Sequence, residues 1–268
     1  MAQYNLFDKK ASQQIDVEAY LARIGCNRSI KPTLKFLREL HRNHLYQIPF
    51  ENLAIHLKQQ IILDVQRIFK KVIVQKRGGF CYELNGLFLQ LLKQFGYYVK
   101  IISARVYAEN GEIGEEFDHM ALIVYIEDKE WLVDVGFGDL FLAPIEFKVD
   151  NIQMDGNRYF KIIETPDQKY ILQSSNDGLD FENEYIFSRK ERQYIEFVDK
   201  CEYHQTSPKS IFTRKMLVTK ATKQGRITLT NKKLIIKNLG ENTEEAILNV
   251  DHFQVKLLQH FQIKMLSN

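Results

Sequence analysis

Hydrophobic positions in the first 97 residues recur three and four residues apart, as in amphipathic helices. Asp16 to Ile24 has an acidic start and is followed by Gly25, which predicts a first helix with a glycine stop. Pro32 is predicted to begin the second helix, and Asp64 to cap a later one. The last helix of this part begins near Cys81, and its apolar positions are Leu84, Leu87, Phe88, Leu91, Leu92 and Phe95.

From Tyr97 onwards the pattern changes from helical to alternating, which predicts a domain boundary. Three runs rich in valine, isoleucine and tyrosine predict strands, at Lys100 to Tyr107, His119 to Ile126 and Glu130 to Phe137. The polar residues Glu127 to Lys129 between the last two predict a hairpin turn. Further runs of this kind follow, so a small antiparallel barrel or a sandwich is predicted here.

The pattern changes again at the Ser207-Pro208 break. Met216 to Thr222 and Arg226 to Thr230 predict a hairpin, and Lys233 to Lys237 a further strand. A terminal amphipathic helix is predicted from Val250, Phe253, Leu257, Leu258 and Phe261. The predicted domains are therefore residues 1–97, 98–206 and 207–268.

Composition and charge exclude several classes of function. The 268 residues include 37 basic and 34 acidic side chains, for a formal charge of +3, and no Lys/Arg-rich run suggests a nucleic-acid partner. Three cysteines in a chain of this length do not make a disulfide framework. Without an apolar signal segment or a membrane-length run, the chain is expected to be cytoplasmic and not membrane-bound. No metal is expected, and the oligomeric state does not follow from the sequence.

Cys81 is the candidate nucleophile. Gly78 and Gly79 bring the backbone through a tight passage immediately before it. At a helix N-terminus, unpaired N–H groups and the helix dipole favour a negative charge, so we expect a lowered pKa for the Cys81 thiol. A small, buried apolar cysteine is the alternative interpretation.

A cysteine nucleophile needs a base and a group that orients the base. His119 begins a strand directly after an acidic loop, at the rim of the predicted sheet. Asp134 interrupts an apolar run, where a carboxylate needs a hydrogen-bonded partner unless it faces solvent. A hairpin centred on Asp128–Lys129 places both on one face, several residue pairs apart. His41 and His44, on the predicted second helix, are interpreted as surface or core-edge residues.

Three segments together resemble the signatures of the arylamine N-acetyltransferases. They are Arg77 to Asn85, His119 with the apolar strand that follows it, and Val133 to Gly138. Supporting matches occur through most of the chain, at Arg23 to Gly25, His41 to His44, Pro49 to Leu53, Ala104 to Val106 and Ser207 to Phe212. One departure is Gln262, where the family often has glycine.

The resemblance implies an α+β fold with an N-terminal helical bundle, a central antiparallel β-barrel and a C-terminal α/β lid. It implies a catalytic triad in which Cys81 is the nucleophile, His119 the base and Asp134 the orienting residue. It also implies that acetyl-CoA acetylates the cysteine, and that an arylamine, arylhydrazine or hydrazide then takes the acetyl group.

The resemblance further implies an acceptor pocket, although it assigns no residue to CoA. Phe50, Val106 and Phe137 match positions that line this pocket in the family, and each is otherwise an ordinary core residue. Gly138 is expected to leave room for the substrate. Arg77 is expected to pair with Glu51.

Other reactions use the same three residue types. Thiol peptidases and transglutaminase-like enzymes form a thioester from a peptide amide instead of from CoA. A family member with an altered acceptor chamber is an amide synthase or a scaffold without transfer activity. Release of free CoA from acetyl-CoA in the presence of an arylamine separates these possibilities.

Overall fold

The N-terminal part of the computed structural model is helical. The structure describes residues 14–29 and 31–265. The elements of this part are α1 Val17–Ile24, α2 Leu34–Gln47, the short strand β1 Phe50–Glu51, α3 Leu53–His56, α4 Val65–Phe69 and α5 Cys81–Gln94. α4 continues directly into a π-helical segment, Lys70–Val74.

The ends of α1 and α4 follow from local capping, and both predictions are confirmed. Asp16 accepts the N–H of Ala19, and Gly25 ends α1 in the left-handed conformation with φ of 65°. Asp64 accepts the N–H of Arg67 and so caps α4. These ends depend on residues that are neighbours in the sequence.

The second helix differs from the sequence prediction in its start and in its burial. Pro32 does not begin it, because the Thr33 hydroxyl accepts the N–H of Phe36 at 3.3 Å and the helix starts after this cap. A proline side chain has no acceptor with which to make such a cap. His41 and His44 are fully buried, so their interpretation as surface or core-edge residues is wrong.

The central sheet is a nearly closed antiparallel barrel. Its strands are β2 Tyr98–Val106, β3 His119–Ile126, β4 Lys129–Val133, β5 Ile145–Glu146, β6 Gln153–Asp155, β7 Arg158–Glu164, β8 Tyr170–Ser175 and β9 Glu182–Phe187. They lie in the order β5-β4-β3-β2-β9-β8-β7-β6. The Gln153 side chain joins the two edges, since it accepts the N–H of Glu146 and donates to the Glu146 carbonyl, both at 2.8 Å. Of the two predicted alternatives, a barrel or a sandwich, the barrel is confirmed.

The third strand, β3, is buried on both of its faces. Met120 and Leu122 pack with the helices, whereas Ala121 and Ile123 pack inside the barrel. A strand that is covered on both sides needs apolar residues at successive positions, which explains the unbroken run after His119. α5 packs on the outer face of β3 and thus lies beside the start of that strand.

A second antiparallel sheet follows two short helices near the C-terminus. The elements are α6 Val198–Thr206, α7 Ile211–Arg214, β10 Leu217–Thr222, β11 Gly225–Thr230, β12 Lys233–Asn238, β13 Glu241–Ala246 and α8 Val250–Phe261. β13 was not predicted, because all of its side chains are exposed and it has no apolar alternation. Charged side chains on such an edge strand discourage pairing with other chains.

The strand β1 of the helical part belongs to the C-terminal sheet. It pairs with β10, so that Phe50 lies opposite Thr219, and the sheet order is β1-β10-β11-β12-β13. The fold is the predicted α+β arrangement of helices, barrel and α/β segment. The domain limits at 97 and 206 remain predictions, and residues 1–13, 30 and 266–268 of those domains lie outside the described residues.

The neighbouring leucines of α8 allow a test of how this helix contributes to stability. Leu257 is fully buried with Phe253 and Phe261, whereas Leu258 is 45% exposed. We expect Leu257→Ala to lower the free energy of unfolding by about 2–5 kcal/mol, because it leaves a cavity. Leu258→Ala should change it by about 0.5 kcal/mol or less. Urea denaturation measures both, and equal losses would contradict the packing role of α8.

Candidate active site

Cys81 is the first residue of α5 and follows a turn that only glycine fits. A Cβ at Gly78 would lie 2.0 Å from the Pro49 carbonyl oxygen. The crowding arises because the backbone passes alongside β1, where the N–H of Glu51 donates to the Gly79 carbonyl at 2.8 Å. The Gly-Gly pair therefore holds the start of α5 against β1.

Two buried ion pairs stabilise the glycine turn that precedes Cys81. Arg77 bonds Glu51 at 2.8 Å, which confirms the predicted pair, and Lys71 bonds Glu83 at 2.8 Å. Burial raises the pKa of Glu51, but Lys71 and Arg77 more than offset it and hold that pKa below its usual value. For Glu83, burial outweighs Lys71 and raises the pKa. The Glu83 carboxylate also accepts the N–H of Phe80, directly before Cys81.

His119 and Asp134 form a hydrogen-bonded pair at the start of β3. The His119 Nε2 lies 2.6 Å from Asp134 Oδ2, and both side chains are buried. Asp134 Oδ1 accepts from the Asn85 side chain and from the N–H of Gly136, each at 2.9 Å. Asp134 is thus a fully bonded buried carboxylate, and the alternative of a solvent-facing strand residue is wrong.

The contact between the pair requires a correction to the predicted hairpin. Ile126 pairs with Lys129, so the turn is centred one residue earlier than predicted, at Glu127–Asp128. This shift brings Asp134 nearer to the start of β3 along the ladder. The prediction of a shared face holds, but the expected separation of several pairs does not.

The strand predicted at Glu130 to Phe137 ends early, at Val133. The backbone beyond it bonds to side chains instead of to the sheet. The N–H of Val135 donates to Asn85 Oδ1 at 2.9 Å, and Asn85 Nδ2 also donates to the Met120 carbonyl at 2.6 Å. Asn85 therefore ties α5 to this loop and to β3. The sequence indicates Asn85 only as a polar residue that lies one turn after Cys81 on an otherwise apolar helix.

A cavity of about 170 Å³ brings most of the predicted site residues together. Its lining residues are Phe50, Cys81, Val106, Asp118, His119, Gly136, Phe137, His204, Ile211 and Phe212. Gly138 is not among them, and the nearest atoms to a Cβ built there belong to Phe50 and Thr219. Its predicted part in substrate binding remains a prediction, as do those of Phe50, Val106 and Phe137.

The polar part of the cavity wall was not predicted. His204 on α6 lies 3.3 Å from Asp118 and 3.1 Å from the Ser210 hydroxyl. Burial raises the pKa of Asp118, yet His204 and Lys200 more than offset this and leave that pKa lowered. No motif surrounds His204 in the sequence, so the fold alone brings it to the cavity.

Burial controls the electrostatics at Cys81. It raises the pKa of the thiol well above its usual value, although a backbone hydrogen bond from Met120 acts in the opposite direction. The sequence predicted a lowered pKa, and burial reverses that direction for the thiol considered alone. A negative charge on this sulfur therefore needs a positively charged partner beside it.

Metal and membrane features were sought across the described ranges. Within residues 14–29 and 31–265, no three His, Cys, Asp or Glu side chains are grouped so that they could hold a metal ion. Every helix in those ranges is too short or too polar to span a membrane.

Comparison with known proteins agrees with this fold and site. A family model described as N-acetyltransferase matches residues 33–268. The pineal gland arylamine N-acetyltransferase isozyme NAT-3 of Gallus gallus is 31% identical, over 94% of this chain and 95% of its own. The arylamine N-acetyltransferase of Escherichia coli K12 is 32% identical, over 79% of this chain and 75% of its own.

Solved structures extend the similarity to three dimensions. The arylamine N-acetyltransferase NAT3 of Bacillus cereus has a TM-score of 0.86 and is 26% identical, over 94% of this chain and all of its own. That enzyme is described as having a Cys-His-Glu catalytic triad, whereas the carboxylate here is Asp134. The fold and the comparisons thus define an N-acetyltransferase. The chain belongs to the arylamine N-acetyltransferase family.

Gly136 allows a test of how closely the loop must approach α5. A Cβ there would lie 2.8 Å from the Cys81 Cα and 2.6 Å from Asn85 Nδ2. We expect Gly136→Ala to lower N-acetyltransferase activity by about a hundredfold, because it displaces the loop from Cys81. Gly156→Ala is the control, since its φ of 63° costs stability but nothing surrounds its Cβ. Full activity in folded Gly136→Ala would show that the close approach is dispensable.

Proposed function

We propose that the chain transfers an acetyl group from acetyl-CoA, through a thioester on Cys81, to the nitrogen of arylamines, arylhydrazines or hydrazides. One observation carries this proposal. Cys81 begins a helix and lines an apolar cavity together with His119. The Nε2 nitrogen of His119 is hydrogen-bonded to Asp134. Such an arrangement serves a cysteine nucleophile with its base and an orienting carboxylate.

The first half-reaction acetylates the enzyme. Because His119 Nε2 donates to Asp134, the Nδ1 nitrogen is bare and available for the thiol proton. The Cys81 sulfur attacks the thioester carbonyl as His119 takes that proton. The intermediate then collapses, the bond from carbon to the CoA sulfur breaks, and His119 returns the proton to CoA. Acetyl-cysteine remains on the enzyme.

The start of α5 is suited to stabilise the charge that develops on the carbonyl oxygen. The first N–H groups of a helix have no acceptor within the helix, and the dipole is positive there. The N–H groups of Cys81 and Tyr82 occupy these positions. Fixed donors of this kind stabilise an oxyanion more than the neutral carbonyl, which accelerates both half-reactions.

The second half-reaction transfers the acetyl group to the acceptor. The amine nitrogen attacks the acetyl carbon, His119 takes a proton from that nitrogen, and the carbon–sulfur bond breaks. The proton then passes to the sulfur, which restores the thiol. Asp134 stabilises the imidazolium form of His119 in both halves, since its buried carboxylate lies 2.6 Å from the ring.

The cavity walls support an aryl acceptor. Phe50, Val106 and Phe137 surround the approach to Cys81, together with Phe212 from α7. Aromatic walls stack on a flat ring at favourable offset or edge-on geometries. An apolar cavity also limits the access of water, which would otherwise hydrolyse the thioester.

Incubation of the purified chain with acetyl-CoA and an arylamine tests the proposal. We expect free CoA, an acetylated amine and parallel double-reciprocal plots, because each substrate meets a different form of the enzyme. A thiol peptidase or transglutaminase-like enzyme would instead form its thioester from a peptide amide. An amide synthase or an inactive scaffold would release no CoA, and that result would contradict the proposal.

The three cysteines provide matched variants for the nucleophile. All are free and buried, but Cys26 and Cys201 lie outside the cavity lining. We expect Cys81→Ala to abolish transfer and the acetylated species seen by mass spectrometry without acceptor. Cys26→Ala and Cys201→Ala should keep both. Equal loss in all three variants would remove Cys81 from its proposed role.

Asp134→Asn tests the charge of the orienting residue. The amide keeps the shape but cannot stabilise the imidazolium, so we expect acetylation by acetyl-CoA to slow by about a thousandfold or more. Single-turnover measurement on protein first found folded by circular dichroism gives the rate. Asp128→Asn, in the exposed hairpin turn, is the control. A near-normal rate in folded Asp134→Asn would contradict the role.

A further inference from the structure

His41 lies behind the site, on a helix that contributes nothing to the cavity lining. It is fully buried on α2, far in the sequence from the loop that follows β4. Its ring stacks on Phe141, with centroids 5.7 Å apart and planes at 21°, and meets Phe88 edge-on at 6.2 Å. The orientation of this imidazole is therefore fixed by packing on two sides.

The two ring nitrogens of His41 have different hydrogen-bond partners. Nδ1 lies 2.9 Å from the Leu142 carbonyl, which can only accept, so Nδ1 carries the hydrogen. Nε2 accepts the backbone N–H of Asp134 at 3.3 Å, so Nε2 is bare. Both bonds require one neutral tautomer. Burial lowers the pKa of His41 and so favours this neutral form.

These bonds place His41 in line with the catalytic residues. Asp134 bonds His119 through its carboxylate and His41 through its backbone N–H. Leu142, the residue on the other side of His41, is also held in place, because its N–H donates to the Asp155 carboxylate. The backbone of Asp134 is thereby held from the helical side, while Asn85 and Gly136 hold its side chain.

We propose that His41 is a positioning residue for acetyl transfer, which holds the Asp134 backbone so that its carboxylate meets His119. The inference rests on the proposed function for its acetylation readout. Without the imidazole, the Asp134 N–H loses its buried acceptor and the loop is free to move. A small displacement of Asp134 and His119 would lower the rate of acetyl transfer strongly, because the alignment of the reacting groups is lost.

His44 provides a matched control on the same helix. It is also fully buried, and burial lowers its pKa as well. Its Nδ1 bonds the Tyr20 hydroxyl at 2.7 Å, away from the Asp134 loop. Substitution of either histidine removes a buried imidazole, but only substitution of His41 removes the acceptor for Asp134. The comparison separates positioning from general packing.

The test compares His41→Leu, His41→Gln, His44→Leu and His44→Gln. Leucine removes both hydrogen bonds, whereas glutamine offers one acceptor and one donor in place of the two ring nitrogens. Two rates are measured on folded protein, namely Cys81 acetylation by acetyl-CoA and Cys81 alkylation by iodoacetamide. We expect both rates to fall about tenfold or more in His41→Leu and to recover largely in His41→Gln. The His44 variants should keep wild-type rates even where thermal stability falls.

Wild-type rates in folded His41→Leu, or equal losses in His44→Leu, would overturn the proposal. If His41→Leu does not fold, nitrogen-15 NMR of the unaltered protein still tests it, because the geometry requires His41 to be neutral with its hydrogen on Nδ1. An Nε2–H tautomer would overturn it. Failure of the proposed function is distinguishable, since acetyl-Cys81 would then be absent in the wild type while the alkylation and NMR results remain interpretable.

Discussion

The site depends on one buried negative charge, the carboxylate of Asp134. A carboxylate removed from water is costly unless donors replace its hydration. Those donors come from three elements: His119 at the start of β3, Asn85 on α5, and the loop's own Gly136. Because Asn85 lies one turn after Cys81, the hydrogen bonds to this charge also set the distance between the helix that carries Cys81 and the strand that carries His119. The same contacts end β4 at Val133, since the loop backbone bonds to side chains and not to the ladder.

Burial places a second constraint on Cys81. The thiol pKa of Cys81 is raised, so a lone thiolate is unfavourable in the resting protein. A thiolate there needs a positively charged partner. Two histidines line the cavity, each beside a carboxylate: His119 with Asp134 and His204 with Asp118. The resemblance to the family motif favours His119 as that partner. Because the neutral thiol is a weaker nucleophile than the thiolate, burial of Cys81 makes its reactivity depend on that histidine.

The parts of this structure that sequence reasoning predicted are those determined by near neighbours. The glycine stop at Gly25, the cap at Asp64, the start of α5 at Cys81 and the apolar run of β3 all follow from residues within one turn or one strand. Several of the features that sequence reasoning did not predict depend on contacts between residues that are farther apart in the sequence. The hairpin register differed by one residue because the turn consists of two residues, Glu127 and Asp128, with Glu127 in the left-handed conformation. The early end of β4 has another cause, since the N–H of Val135 bonds to Asn85 and not to the ladder. The exposed β13 has no apolar signal at all, and His41 and His204 reach the site only through the packing of distant helices.

The C-terminal segment is not an appended cover, because its sheet begins with β1 from the helical part. The two residues of β1 have different partners: Glu51 pairs with Arg77 next to the turn before Cys81, and Phe50 lines the cavity. Arg226 on β11 adds a second link, since this buried guanidinium donates to the Gly138 carbonyl and pairs with Asp139 at 2.9 Å. The C-terminal sheet therefore contacts both the part of the cavity wall that contains Phe50 and the loop after Asp134. Under the proposed function, a change in the packing of that sheet would therefore reach both the cavity wall at Phe50 and the loop that follows Asp134, so that acceptor selectivity and the alignment of the site would change together.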